Sequence, residues 1–194
     1  ISNNGFDQNA DFTLNCLSAN TTYYIQCGYN DRTADGGSAG VFDLDISANG
    51  SSSGQDNVCN AADMGTLDGL TASLAINNQS NECATTQTNE PGGGDKTVWY
   101  TFTTGNTVAK NFNINVDAYS NGMDAEVSVY EACSPPICTG TALNAGEFTE
   151  LANFWNGLLI PALGIGEWDA SGTISGAIKP NTTYYIRVDG VNAY

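Results

Sequence analysis

Apolar and polar residues alternate in short runs along this chain, and the runs are separated by stretches rich in Gly, Asn, Ser or Pro. Phe42, Leu44 and Ile46 alternate with aspartates, and Val98, Tyr100 and Phe102 with Trp99, Thr101 and Thr103. Phe112, Ile114 and Val116 alternate with Asn113, Asn115 and Asp117, and Ala125, Val127 and Val129 with Glu126, Ser128 and Tyr130. A period of two is the strand period, with one side of each run turned to a core and the other to solvent or a second layer. Pro91-Gly92-Gly93-Gly94 breaks the chain before the second of these runs, and Gly105-Asn106 predicts a turn after it. Three half-buried strands in succession, 97–103, 112–116 and 125–129, predict an all-β fold. The expected form is an antiparallel β-sandwich or jelly-roll-like module with Gly- and Asn-rich turns and at most one short helix.

One run occurs twice. Asn-Thr-Thr-Tyr-Tyr-Ile-Gln at residues 20–26 returns as Asn-Thr-Thr-Tyr-Tyr-Ile-Arg at 181–187, a spacing of about 161 residues, which is a domain length rather than a solenoid period. In each copy the first Tyr and the Ile share one side of a strand. The flanks agree: 12–17 lies over 173–178 in the same register, and a turn follows each, so both copies predict strand, turn, strand. The first copy runs on through a Gly-rich loop into the strand Val41–Ile46, whose counterpart in the same register falls near residues 203 to 207. The expected organisation is a cut from an array. Residues 1–48 are the C-terminal strands of one repeat, the Ser- and Gly-rich stretch 49–57 is a linker, and 58–194 is the next repeat without its last strand.

Composition narrows the function. Twenty-one acidic residues against five basic ones, with no His, give a net charge of −16, which argues against nucleic-acid or anionic-membrane binding. Without His, neither a Ser-His-Asp or Cys-His system nor an ordinary metallohydrolase centre can be assembled, and no spacing singles out a carboxylate pair. No run approaches the roughly 18 apolar residues of a membrane-spanning helix, so no membrane insertion is expected. Six cysteines without CxxC spacing read as disulfides in an oxidising, extracellular compartment. The expected bridges are Cys133–Cys138 around two prolines, Cys59–Cys83 across the opening strands, and Cys16–Cys27, because the second copy lacks both of these together. A tight turn at Ala19-Asn20 would set Cys16 opposite Tyr23, so the last bridge requires a looser hairpin. The four Asn-X-Ser/Thr sequences, at Asn20, Asn49, Asn78 and Asn181, do not change this picture, and Asn20 and Asn181 are expected to stabilise chain reversal.

Two features carry candidate binding chemistry. The acidic loops containing Asp31 and Asp35, and Asp117 and Asp124, are where a hard cation such as Ca2+ would find oxygen ligands, although neither has EF-hand spacing. The apolar stretch from Phe148 to Trp168 includes Phe148, Leu151, Phe154, Trp155, Leu158, Leu159 and Trp168 in a chain that is otherwise polar. Phe148, Leu151, Trp155 and Leu158 fall near helical spacing, which predicts a short helix over 147–159. Two readings remain open: a cover over the sandwich core, or an interface with a neighbouring subunit. Trp155 and Trp168 are also the aromatic residues best suited to stacking on a surface polysaccharide, whereas Trp99 reads as core.

The set DNVCNAADMGTL, NECATT, EPGGGDKTVWYTFT, AEVSVYEAC and PNTTYYIRVDG resembles the repeated β-sandwich modules of large secreted cell-surface proteins of Bacteroidota, related in plan to pre-peptidase C-terminal domains. The likeness covers about residues 57–194, and its tail recurs in 20–46. It implies a non-catalytic, disulfide-bonded, secreted module, a building block of a cell-surface filament or long adhesin, often exported by the type IX route. Its partners would be copies of itself or neighbouring repeats, joined head to tail. The alternative is a carbohydrate-binding or calcium-dependent accessory module of a secreted hydrolase. The chain departs from the pattern in the apolar stretch 148–168, and in Cys27-Gly28-Tyr29 where VDG is expected.

Overall fold

The computed structural model describes residues 14, 16–17, 20–27, 43–47, 55–94, 96–118, 124–132, 148–155 and 169–191. The chain divides into two compact units, Ile1–Gly50 and Ser51–Tyr194.

Among the described residues of the second unit a 3-10 turn, Val58–Asn60, is followed by strands β1 (Ala62–Gly69), β2 (Val98–Val108), β3 (Asn111–Val116), β4 (Asp124–Ala132), β5 (Phe148–Trp155), β6 (Ala170–Ser175) and β7 (Thr183–Val191). They form a five-stranded sheet in the order β1-β2-β7-β4-β5 and a two-stranded sheet of β3 and β6. The fold is all-β and built from two sheets, as the alternation predicts. The edge strand β1 pairs with β2 in parallel; the remaining pairs are antiparallel. That geometry requires a long crossover, which the residues between Gly69 and Val98 supply.

The period-two pattern explains why these segments sit where they do. Val98, Tyr100 and Phe102 of β2, Ala125, Val127 and Val129 of β4, and Tyr184, Ile186 and Val188 of β7 point to one side. There they pack with Ile114 of β3 and Ile174 of β6 as one core. Fully burying a side chain of this size stabilises by roughly 1.5–3 kcal/mol, so the inward-facing row alone gives the sheet its register. The opposite face of the large sheet carries a second, smaller cluster of Val58, Trp99 and Tyr130, against which Phe148 and Tyr185 pack. Trp99 is fully buried in it.

Three expectations are corrected. Gly105-Asn106 does not turn the chain; β2 continues through both residues to Val108. The segment over 147–159 is not a helix where it is described, but strand β5, paired to β4 with a register shift between Val129 and Tyr130. That irregularity lets Leu151 and Ala152 both pack toward the main core, which gives the apolar spacing its helical look. Finally, the expected strand, turn, strand around Asn181 is formed, by β6 and β7, but the two strands are not paired as a hairpin. β6 pairs with β3 in one sheet and β7 with β2 and β4 in the other, so the turn carries the chain from one layer to the next.

In the first unit, Thr21 to Cys27 and Asp43 to Ser47 have no regular secondary structure. The strands expected there are therefore not formed over the described residues.

Candidate functional site

Each face of the large sheet carries a distinct chemical feature. On the outer face, Arg187 of β7 is fully buried. Its Nη2 lies 3.1 Å from Glu126 Oε1 and 3.5 Å from Asp189 Oδ2, and its Nη1 donates to the carbonyl of Pro91 at 2.7 Å. A Cβ on Gly92 would collide with the guanidinium, and one on Gly94 with the Asp189 carboxylate, so the glycines let residues 91–94 run close over the charged pair. Glu90, on the same strap, accepts from the Trp99 indole N–H at 3.1 Å and from the Gln87 N–H at 2.8 Å. Burial pushes the carboxyls of Glu90 and Asp189 above the ordinary carboxylate range, while their hydrogen bonds and Arg187 pull back. Burial likewise raises the Tyr130 phenol. One cation held among carboxylates under a covering loop is a fixed structural hub, in which the Arg187 and Asp189 side chains are closed off and Glu126, 19% exposed, reaches the surface.

The inner face has an opening. A cleft of about 380 Å³ lies between the large sheet and β3, lined by Met64, Leu67, Leu74, Phe102 and Phe112 among others. Asn111, Phe112, Asn113, Ile114 and Asn115 all border it. Consecutive residues of a strand can line one space only where the strand presents its edge as well as a face. β3 pairs with β6 on one edge, and among the described residues no strand pairs with the other.

The expected site residues are distributed as follows. Leu151 and Phe154 pack on the main core and Phe148 on the outer cluster, so these three act as cover for their own module. Trp155 remains 54% exposed, on the edge strand β5, with its indole N–H 3.4 Å from Asp124 Oδ2. Asn153, next to it on the same face, donates to Glu126 and Ser128. Leu158, Leu159 and Trp168 lie outside the described residues. Asp117 accepts from Asn115, and Asp124 is a buried β4 residue. Among the described residues no three acidic or Cys side chains converge on a point where an ion would sit. Asp31 and Asp35 lie outside the described residues.

The cysteine pairings need correcting. Cys27 is an exposed free thiol, while Cys16, Cys59 and Cys83 are disulfide-bonded. The expected Cys16–Cys27 bridge is therefore not formed, nor is Cys59–Cys83. Cys133 and Cys138 lie outside the described residues.

Sequence reasoning missed Arg187 and the free edge of β3. In an alternating strand an Arg reads as a solvent-facing residue; the signal available was the Gly-rich strap upstream, together with a second charge two residues on at Asp189. No known protein family, curated protein or solved structure matches this chain.

Proposed function

We propose that this chain is a non-catalytic structural repeat of a secreted cell-surface protein, a building block of a filament or long adhesin. The observation that carries this reading is the recurrence of one strand at domain spacing: its second copy is the central strand β7, hydrogen-bonded on both sides by β2 and β4. The first copy is then the equivalent segment of another module of this kind, which carries the same Asn-Thr-Thr-Tyr-Tyr-Ile sequence but has no regular secondary structure over its described residues. The disulfides fit an oxidising compartment, and among the described residues no helix is long and apolar enough to cross a membrane.

The test makes β7 carry the first copy's sequence. Arg187→Gln turns residues 181–187 into a replica of 20–26, and Glu126→Gln with Asp189→Asn removes the carboxylates this would strand. The triple variant should fold cooperatively, with a near-native circular dichroism spectrum. Failure to fold with those charges removed would mean that the first copy is not a strand of this type.

A second reading, carbohydrate binding, is favoured by one observation, the exposed ring of Trp155 on β5 beside Asn153 and, across on β4, Glu126. Loss of polysaccharide retention in Trp155→Ala would support it. Equal retention by the variant would remove it.

A further inference from the structure

The cleft beside β3 and residues 43–46 have complementary features. We propose that the segment Asp43–Ile46 of one copy of this chain docks, as an added strand, along the edge of β3 that no described strand covers in another, placing Leu44 and Ile46 in the cleft and joining the copies head to tail. The proposal deepens the repeat reading above and rests on it.

Four observations support the match. The donor alternates Leu44 and Ile46, which are 53% and 74% exposed, with Asp43 and Asp45. A strand of that pattern sends its apolar side chains to one face and its carboxylates to the other. The acceptor offers an edge that no strand pairs among the described residues, beside an apolar space lined by Met64, Leu67, Leu74, Phe102 and Phe112. Strand addition draws affinity from the main chain and specificity from pockets for alternate side chains, and both are supplied here.

Charge permits the contact. The side chains that alternate with the core-facing ones on β3 are Asn111, Asn113 and Asn115, so the donor's aspartates meet amides, and Lys110 stands at the start of the strand. In a chain with five cations in all, few strand edges avoid like-charge repulsion of an acidic donor.

The duplication supplies the last argument, since residues 41–46 follow the first copy of the heptapeptide whose second copy lies in the module that carries β3. Because donor and acceptor are different surfaces, the contact is heterologous, and it continues from copy to copy as an open filament where the rotation between copies does not close.

The test uses the full chain and a synthetic peptide spanning residues 40–47. Titration should show saturable binding, with amide exchange slowed in Asn111–Val116. A peptide carrying Leu44→Glu and Ile46→Glu should bind about a hundredfold more weakly, since two apolar side chains no longer enter the cleft. The same pair of substitutions in the full chain should abolish concentration-dependent association in sedimentation, without shifting the melting of the module 51–194. Absence of peptide binding, binding that leaves β3 unprotected, or a wild-type chain that stays monomeric would each overturn the proposal. None of those results bears on whether the triple variant at positions 126, 187 and 189 folds, so the failure of this inference and the failure of the repeat reading are distinguishable.

Discussion

The same six residues, Asn-Thr-Thr-Tyr-Tyr-Ile, occur in two conditions within this one chain. At 181–186 they lead into β7, where Tyr184 is fully buried and Ile186 is 6% exposed. At 20–25 they form no strand, and Tyr23, Tyr24 and Ile25 are 47%, 93% and 45% exposed. What survives in both places is the turn: Asn20 and Asn181 adopt left-handed φ values of 54° and 51°, which Asn tolerates better than other side-chain-bearing residues. The turn is thus written locally. The strand is conditional on the neighbours that pair with it, as the context dependence of strand propensity requires.

The largest effect should separate the two copies by burial. Tyr184 stacks on Phe102 at 5.3 Å, and its hydroxyl accepts from the Lys179 N–H at 2.8 Å. Tyr184→Ala should cost about 3–5 kcal/mol, the range for emptying a buried aromatic site. Tyr24→Ala, in the first copy and 93% exposed, should stay within about 0.5 kcal/mol, as at a surface position. Urea unfolding of both variants measures this, and comparable losses would show that the first copy also has a packed environment.

The next effect concerns the one residue at which the two heptapeptides differ. Arg187→Gln alone should destabilise by about 3 kcal/mol or more, because Glu126 and Asp189 are left without their cation in a nearly closed site. Adding Glu126→Gln and Asp189→Asn should recover much of the loss. If the single variant is neutral in chemical denaturation, the hub adds nothing to stability, and position 187 does not distinguish the copies.

How far the sequence could be read follows from the same contrast. The inward rows of β2, β3, β4 and β7 were legible because burial on one side writes a period of two into the residues themselves. The route from β6 to β7 was not, since Gly176 and Asn181 with positive φ suit a crossover between sheets as well as a hairpin. Nor was β5, where an irregular pairing opposite Val129 and Tyr130 made a strand imitate a helix. Of the candidate site residues, Trp155 was legible as an exposed aromatic. The β3 edge was not, because whether a strand is flanked on both sides is a property of the topology and not of its own residues.

The smallest effect is a pH dependence that the second copy should show and the first has no groups to show, since Gln26 and Gly28 stand where Arg187 and Asp189 stand. Asp189 faces Arg187, Glu126 and the Lys96 N–H, and Glu90 faces Trp99, the Gln87 N–H and Arg187. Burial holds both carboxyls above their ordinary values despite these partners, so the folded state binds their protons more tightly than the unfolded chain does. Stability from these two groups is therefore fully present below the ordinary carboxylate values, near 4, and is lost as pH rises through the raised folded-state values. This sign is opposite to that of a carboxylate held low by a salt bridge. The urea midpoint of the wild-type chain should accordingly fall as pH rises from the ordinary carboxylate range toward neutrality, with a shallower slope in Glu90→Gln/Asp189→Asn. Lowering pH also relieves repulsion within a chain of net charge −16, and added salt separates the two causes, since it screens the exposed charges more than the buried pair. If the wild-type slope disappears at high salt, the pH dependence comes from the surface charge, and the buried carboxyls of β7 and its covering strap contribute nothing to it.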